Sequence, residues 1–244
     1  IPVDHETCLL LTQENPLFAF REEAHPDEHS LEVQLPFLQI KLTRPFLLIP
    51  VILGTGKPEE CRSMAETLKP FFKPGNLFVI SSDLSHYPCY DDAVKTDKAT
   101  TEAILANSPE RLLKVLDENR KKNIEGLATS LCGWTSVLTL LHITRGMEVD
   151  FAWVDYRNSG DEPRYGDHDR VVGYSAVAVY GKEGQPFSLT EEERQKLLAI
   201  AERSVREMVV SGERVSADEV ETEGRLGEPA GAFVSIYIAG KLRG

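Results

Sequence analysis

The feature that most limits what this chain can fold into is the alternation of short apolar runs with amphipathic segments. Four runs have the length and composition of buried strands, at residues 46–53, 76–83, 150–156 and 171–180. The other segments have the 3.6-residue spacing of helices, at residues 54–68, 91–106, 109–122 and 132–146. Strands that alternate with helices predict an α/β layered domain with a mixed or mostly parallel sheet.

Several residues predict where helices begin and end. Pro58 suits the first turn of a helix, and Ser108 followed by Pro109 reads as an N-cap and first helical residue. Gly146 is placed to close the apolar helix of residues 132–146. The spacing of Thr190 and Glu193 predicts a capping box at the start of a later helix.

A change in composition near residue 182 predicts a domain boundary. We expect a first domain over residues 1–182, a linker over 183–187 and a second domain over 188–244. Within the second, GAFVSIYIAGKLRG (231–244) predicts a strand and the turn of a hairpin. One helix and one strand bury each other poorly, so we expect this domain to be incomplete. The first residue, Ile1, predicts a fragment or a processed product.

The charge balance argues against two classes of partner. The formal net charge of the 244 residues is -12, whereas a surface for nucleic acids or anionic membranes needs clustered Lys and Arg. No apolar run approaches the roughly 20 residues of a membrane helix. The four cysteines form no C-x-x-C pair, which favours a reducing compartment and predicts a cytoplasmic protein.

The stretch His25-Pro26-Asp27-Glu28-His29 fits the pattern H-x-x-E-H. On a helix, this pattern can hold zinc with two histidines and use the glutamate as a general base, so one hypothesis is a zinc-dependent hydrolase. Proline is best tolerated in the first turn, which would make His25 an N-cap and separate the two imidazoles. The alternative is two surface histidines beside the start of a helix, which the spacing of Leu31, Leu35 and Leu38 favours. The alternation of Leu31, Val33, Leu35 and Phe37 also allows a strand there.

Three polar residues lie where strands end or helices begin. Asp83 and His86 follow the apolar run 76–83, and ligands gather beyond the carboxyl ends of strands. They could bind a metal or move a proton, or Asp83 could cap a turn. Cys132 precedes Gly133 at a predicted helix start, where thiolate is favoured and glycine permits close approach. The alternative for Cys132 is a small buried apolar residue.

Taken together and in order, four segments resemble the MEMO family, whose bacterial and archaeal members are also called component B of the AmmeMemoRadiSam system. The segments are EHSLEVQLPFLQ, SSDLSHY, LCGW and DRVVGYSAVAVY. The resemblance covers residues 1–182 and implies a fold like that of the class III extradiol dioxygenases. Residues 188–244 resemble the opening of an AMMECR-type domain, component A of the same system, through GAFVSIYIAGKLRG.

The MEMO resemblance implies a metal site. His29 and Cys132 match two of the family's metal ligands, and Asp83 and His86 match residues beside the metal. The resemblance also implies another histidine ligand, from a segment before Ile1. Thiolate and imidazole favour iron or copper over hard cations, and zinc suits the same ligands. We therefore expect iron, with copper or zinc as alternatives.

The resemblance implies a non-heme iron- or copper-dependent oxidoreductase related to extradiol dioxygenases. Its expected partner is a radical SAM protein, and its expected substrate is a small molecule, an RNA or a peptide. A non-catalytic module that binds a partner or a peptide is the main alternative, because fold does not imply function. The zinc-dependent hydrolase that uses residues 25–29 is a third hypothesis.

Overall fold

A computed structural model describes residues 1–26, 28–181, 190–212, 237–238 and 241–242. The chain divides into two compact units, Ile1–Lys182 and Glu183–Gly244. The six helices described in the first unit are α1 (His5–Glu14), α2 (Leu35–Lys41), α3 (Pro58–Leu68), α4 (Tyr90–Leu105), α5 (Pro109–Lys121) and α6 (Trp134–Thr144). Short 3₁₀ turns cover Glu22–Ala24, Glu32–Gln34, Lys69–Phe71 and Ser159–Asp161.

Local chemistry places the helix ends where the sequence predicts them. The side chain of Ser108 accepts a hydrogen bond from the backbone N–H of Arg111, which caps α5. Pro58 is the first residue of α3, and α6 ends just before Gly146, whose φ is 73°. A positive φ is costly for residues with a Cβ, so glycine suits this exit from the helix.

Two antiparallel strands form the sheet of the first unit. Strand β1 (Val149–Asn158) pairs with β2 (Gly173–Gly181), with a register shift between Trp153 and Asp155. The connection from β1 to β2 holds a 3₁₀ turn and no crossover helix, so the chain reverses direction. The predicted strands at 150–156 and 171–180 are therefore present, and they pair antiparallel.

The other two apolar runs, 46–53 and 76–83, do not form strands, contrary to the sequence prediction. A strand needs a hydrogen-bonded neighbour, and within the described residues the parallel bridge between Val3 and Leu48 is the one bridge that reaches either run. Side chains along 76–83 are half-buried at most, with Leu77 and Val79 exposed. The described part of the unit is thus a set of helices with a small antiparallel sheet, and the layered mixed sheet stays a prediction.

The core holds the segments on which the polar residues lie. Helix α6 packs against α3, and Val137, Leu138 and Leu141 enter a buried cluster. Leu84 and Leu131 belong to the same cluster, and each is adjacent in sequence to a predicted site residue. Full burial of a leucine side chain contributes about 1.5–3 kcal/mol, which anchors both segments. The remaining members of the cluster are Cys61, Ala103, Ile104 and Leu112.

The second unit is described over helix α7 (Glu191–Val210) and one strand pair. The predicted capping box is present, since Thr190 and Glu193 exchange side-chain and backbone hydrogen bonds. Strand β3 (Tyr237–Ile238) pairs antiparallel with β4 (Lys241–Leu242), as expected for a hairpin. The rest of residues 231–244 and the predicted linker lie outside the described residues. No helix in the described part of the chain is long and apolar enough to cross a membrane.

Candidate metal centre

Asp83, His86 and Cys132 come together in the folded chain. One carboxylate oxygen, one imidazole nitrogen and the sulfur all lie within 4.8 Å of one another. Within the described ranges, no other group of three His, Cys, Asp or Glu residues has this spacing. Nε2 of His86 lies 3.4 Å from Oδ2 of Asp83. Three of the residues singled out in the sequence therefore share one small region.

The segment that carries Asp83 and His86 is held from both sides by backbone hydrogen bonds. The N–H of His86 donates to the carbonyl of Thr129 over 2.9 Å. On the other side, the N–H of Leu84 donates to Gly173 over 2.8 Å. Because this segment has no regular secondary structure of its own, these hydrogen bonds fix the backbone from which the side chains of Asp83 and His86 project.

Cys132 is bound to the same segment by a reciprocal pair of hydrogen bonds. Its N–H donates to the carbonyl of Asp83, and the N–H of Asp83 donates to its sulfur, both over 3.1 Å. The hydroxyl of Ser82 lies 3.6 Å from the sulfur. These contacts hold the sulfur of Cys132, a candidate metal ligand, beside the backbone of Asp83.

Gly133 allows this close approach. A Cβ at this position would lie 2.8 Å from Cβ of Ser82 and 2.9 Å from its hydroxyl oxygen. The Gly133 N–H donates to that same oxygen over 2.8 Å. The expectation that Gly133 lets another group approach the backbone is thus confirmed. A larger residue would force the segment of Cys132 away from that of Asp83.

Beneath the site lies a buried carboxylate that the sequence analysis missed. Asp97 of α4 is fully buried, and its oxygens accept hydrogen bonds from the Ser85 N–H and the Tyr156 hydroxyl, each over 2.8 Å. Burial raises the pKa of Asp97, and the hydrogen bonds from Tyr156 and Ser85 oppose that rise. Burial also raises the pKa of Tyr156. The signal was present, because Asp97 lies on the same face of α4 as Ala93 and Ile104.

One ring nitrogen of His86 forms no hydrogen bond within the described residues. This nitrogen, Nε2, is buried and lacks a partner among those residues, although Oδ2 of Asp83 lies 3.4 Å away. Buried polar atoms are nearly always satisfied, and an exception calls for an explanation such as an ion or a ligand. The imidazole nitrogen, the carboxylate of Asp83 and the sulfur of Cys132 form a donor set that fits iron, copper or zinc better than magnesium or calcium.

His29 lies outside this group. Its Nδ1 is 3.0 Å from Oε1 of Glu32, and both side chains are largely exposed. The turn after His29 reaches the site, since the amide of Gln34 donates to the hydroxyl of Ser81 over 3.0 Å. The structure thus places His29 on a neighbouring turn and not beside Cys132. Its role as a metal ligand stays a prediction.

The two histidines of the H-x-x-E-H stretch are not placed on one helix, as the zinc-dependent hydrolase hypothesis requires. His25 ends a 3₁₀ turn, and Glu28 accepts a hydrogen bond from the Ser30 N–H over 2.8 Å, which lowers the pKa of Glu28. Helical structure resumes only at Glu32, so the two histidines do not share a helical face. Asp27 lies outside the described residues. Of the two readings of this stretch, the described geometry matches surface histidines before a helix.

Comparison with known proteins identifies relatives of the first unit. The family model of the Memo-like protein matches residues 1–178. A MEMO1 family protein of Desulfurococcus amylolyticus is 29% identical over 181 residues, which cover 73% of this chain and 60% of that protein. One of Thermoplasma acidophilum is 33% identical over 156 residues, covering 64% of this chain and 54% of the relative.

A third relative, a MEMO1 family protein of Sulfolobus acidocaldarius, is 29% identical over 72% of this chain and 60% of its own length. The chain therefore spans about 60% of the length of such curated relatives. The matched region contains the whole Asp83–His86–Cys132 group. This match over most of the chain shows that the protein belongs to the Memo-like family.

Proposed function

We propose that the unit Ile1–Lys182 is an iron-dependent redox protein that acts with a radical SAM partner. The observation that carries this proposal is the clustering of Asp83, His86 and Cys132, whose donor atoms lie within 4.8 Å of one another. The proposal includes a fold like that of the class III extradiol dioxygenases and an AMMECR-type second domain. All four cysteines are free, which supports a cytoplasmic location.

In this proposal, Cys132 and His29 are metal ligands. Cys132 is exposed and directed toward Asp83, so its sulfur is accessible to an incoming ion. The side chain of His29 forms an exposed ion pair with Glu32, and such pairs contribute little to stability. Little therefore opposes a turn of His29 toward the ion. The bond between Gln34 and Ser81 supports this role, because it holds the neighbouring turn against the site.

Asp83 and His86 are proposed to handle protons beside the metal. Iron would supply one-electron chemistry and a binding position for oxygen or substrate. In this role His86 Nε2, which is buried and forms no hydrogen bond within the described residues, exchanges a proton with the bound ligand and does not coordinate the ion. Asp83 Oδ2, 3.4 Å away, can accept a hydrogen bond from the same nitrogen after a small rotation. Asp97 holds the backbone of Ser85 and thereby positions the imidazole.

Anaerobic titration of the full-length protein with Fe(II) tests the metal site. We expect about one tightly bound iron per chain, and the Cys132→Ser variant should bind at least about a hundredfold more weakly. Cys89→Ser is the matched control, because Cys89 is also exposed and its thiol donates a hydrogen bond to Asp92. Wild-type affinity in Cys132→Ser, or no iron binding by the unsubstituted chain, would refute the proposal. Competition with zinc and copper identifies the preferred metal.

Two further experiments test the remaining parts. A His29→Ala variant should weaken iron binding, whereas unchanged binding would remove His29 from the ligand set. Affinity purification with the radical SAM protein, compared with a chain that ends at Lys182, tests the partner and the contribution of the second unit. Failure of the two proteins to co-purify under anaerobic conditions would contradict the proposed partnership.

A further inference from the structure

An arginine covers a tyrosine next to the candidate metal centre. The guanidinium carbon of Arg170 lies 4.0 Å from the centre of the Tyr87 ring. The ring of Tyr87 in turn lies 5.5 Å from the imidazole of His86. The Tyr87 ring therefore lies near both the cation of Arg170 and a residue of the candidate centre.

Tyr87 is held in an unfavourable backbone conformation. Its φ is 73°, which is rare for a bulky residue and costs of the order of 1–3 kcal/mol. The Tyr87 N–H donates to Val171 over 2.7 Å, and Gly126 has no Cβ that would collide with the Tyr87 carbonyl. The surrounding backbone thus keeps a strained aromatic residue beside His86, and such strain is concentrated at functional sites.

Arg170 retains its hydrogen-bonding capacity. The chain has a net charge of -12, and two aspartates lie within three residues of Arg170, yet Arg170 forms no ion pair within the described part of the chain. Asp167 instead accepts a hydrogen bond from the Asp169 N–H. One face of the guanidinium covers Tyr87, so its N–H groups stay available at the edge. That edge matches the two oxygens of a carboxylate or phosphate.

We propose that Arg170 and Tyr87 bind the anionic group of the ligand on which the Asp83–His86–Cys132 centre acts. The ligand class is then a molecule with a carboxylate or a phosphate and, elsewhere on the same molecule, a reacting group. Tyr87 supplies an apolar surface and orients the guanidinium, and Arg170 supplies charge and paired donors. The assignment to this ligand rests on the proposed function, whereas anion binding itself needs no metal.

Nuclear magnetic resonance of the metal-free chain tests the anion site directly. Inorganic phosphate and acetate are the two probes, and the Arg170 side-chain N–H and His86 ring resonances are followed in separate titrations. We expect saturable shifts of both residues with at least one probe. Arg170→Gln should weaken binding by about tenfold or more. Arg170→Lys keeps the charge but loses the paired donors. Its affinity for the probe should therefore lie between those of the unsubstituted chain and of Arg170→Gln.

Arg164→Gln is the matched control, because Arg164 is an exposed arginine in the same loop that forms no ion pair within the described residues. It should bind as the unsubstituted chain does. The two probes decide between a phosphate and a carboxylate ligand. The inference is overturned if neither probe shifts the Arg170 resonance saturably, or if Arg170→Gln binds the probe as tightly as the unsubstituted chain. It is also overturned if Arg164→Gln loses as much affinity as Arg170→Gln. Iron binding measured on the same samples reports separately on the proposed function.

Discussion

Replacement of Gly173 by alanine tests how the buried layer supports the candidate centre. Gly173 lies at the start of β2, where its backbone pairs with Leu84 and Ser85. A Cβ at this position would lie 1.9 Å from Oδ2 and 2.6 Å from Cγ of Asp97. Because contacts below 3.0 Å essentially never occur, the carboxylate or the strand must move by about an ångström.

The expected cost follows from what Asp97 holds. Displacement of its carboxylate weakens two hydrogen bonds, from the Ser85 N–H and the Tyr156 hydroxyl. A typical hydrogen bond contributes about 0.5–1.5 kcal/mol and overpacking costs about 1–3 kcal/mol, so Gly173→Ala should lower the free energy of unfolding by about 2–5 kcal/mol. The same shift moves the backbone before His86, so iron affinity should fall as well.

Urea unfolding followed by tryptophan fluorescence measures this cost. Both tryptophans, Trp134 and Trp153, lie in the unit Ile1–Lys182, so the signal reports on that unit. Gly181→Ala is the matched control, because Gly181 lies on the same strand and an added Cβ would meet nothing within 4 Å. It should change the free energy of unfolding by less than about 0.5 kcal/mol.

A double-mutant cycle with Asp97→Ala separates the clash from a general effect on β2. Asp97→Ala is itself destabilising, because it leaves buried donors without acceptors. In that background the carboxylate is gone, so adding Gly173→Ala should cost less than about 1 kcal/mol more. An equal cost of Gly173→Ala in both backgrounds, or a cost no larger than that of Gly181→Ala, would refute the reasoning.

Three smaller predictions concern other parts of the first unit. The Tyr90 hydroxyl and a backbone N–H lower the pKa of Asp161 below its usual 3.8, so its contribution is present above that pH and lost as the pH falls. Asp161→Asn should therefore flatten the loss of unfolding free energy between about pH 5 and about pH 2, and an unchanged acid limb would contradict this. Ser108→Ala removes the cap of α5 and should cost about 1 kcal/mol in thermal unfolding, whereas no change in Tm would show that another group caps it. Leu112→Ala should cost about 2–5 kcal/mol because Leu112 is fully buried, and the half-exposed Leu9→Ala, measured alongside, should cost far less.

The sequence by itself determined most of the local features. The start of α5 at Ser108–Pro109, the capping box of α7 and the close of α6 near Gly146 depend on residues three or four positions apart. Such short-range chemistry can be read directly from spacing. The sequence also singled out Asp83, His86 and Cys132, because polar residues at the ends of apolar segments stand out.

The tertiary structure alone decided which distant residues meet. Asp83 and Cys132 are 49 positions apart, and only the backbone pairing between their segments brings the sulfur to the carboxylate. The position of His29 outside the group is likewise a long-range outcome. The direction of strand pairing, and the lack of a regular strand in runs 46–53 and 76–83 within the described part of the chain, also depend on which segments are available as neighbours.

Asp97 and Arg170 illustrate the same limit at the level of single residues. The spacing of Asp97 relative to Ala93 and Ile104 indicates a buried helix face, but it does not predict the Tyr156 hydroxyl as a hydrogen-bond partner. Nothing near Arg170 in the sequence predicts that it lies over the Tyr87 ring. The choice of partner depends on packing between elements, which composition and periodicity do not encode. The chemistry of this protein was thus visible in its residue types, whereas the arrangement that makes a site of them came from the long-range contacts of the fold.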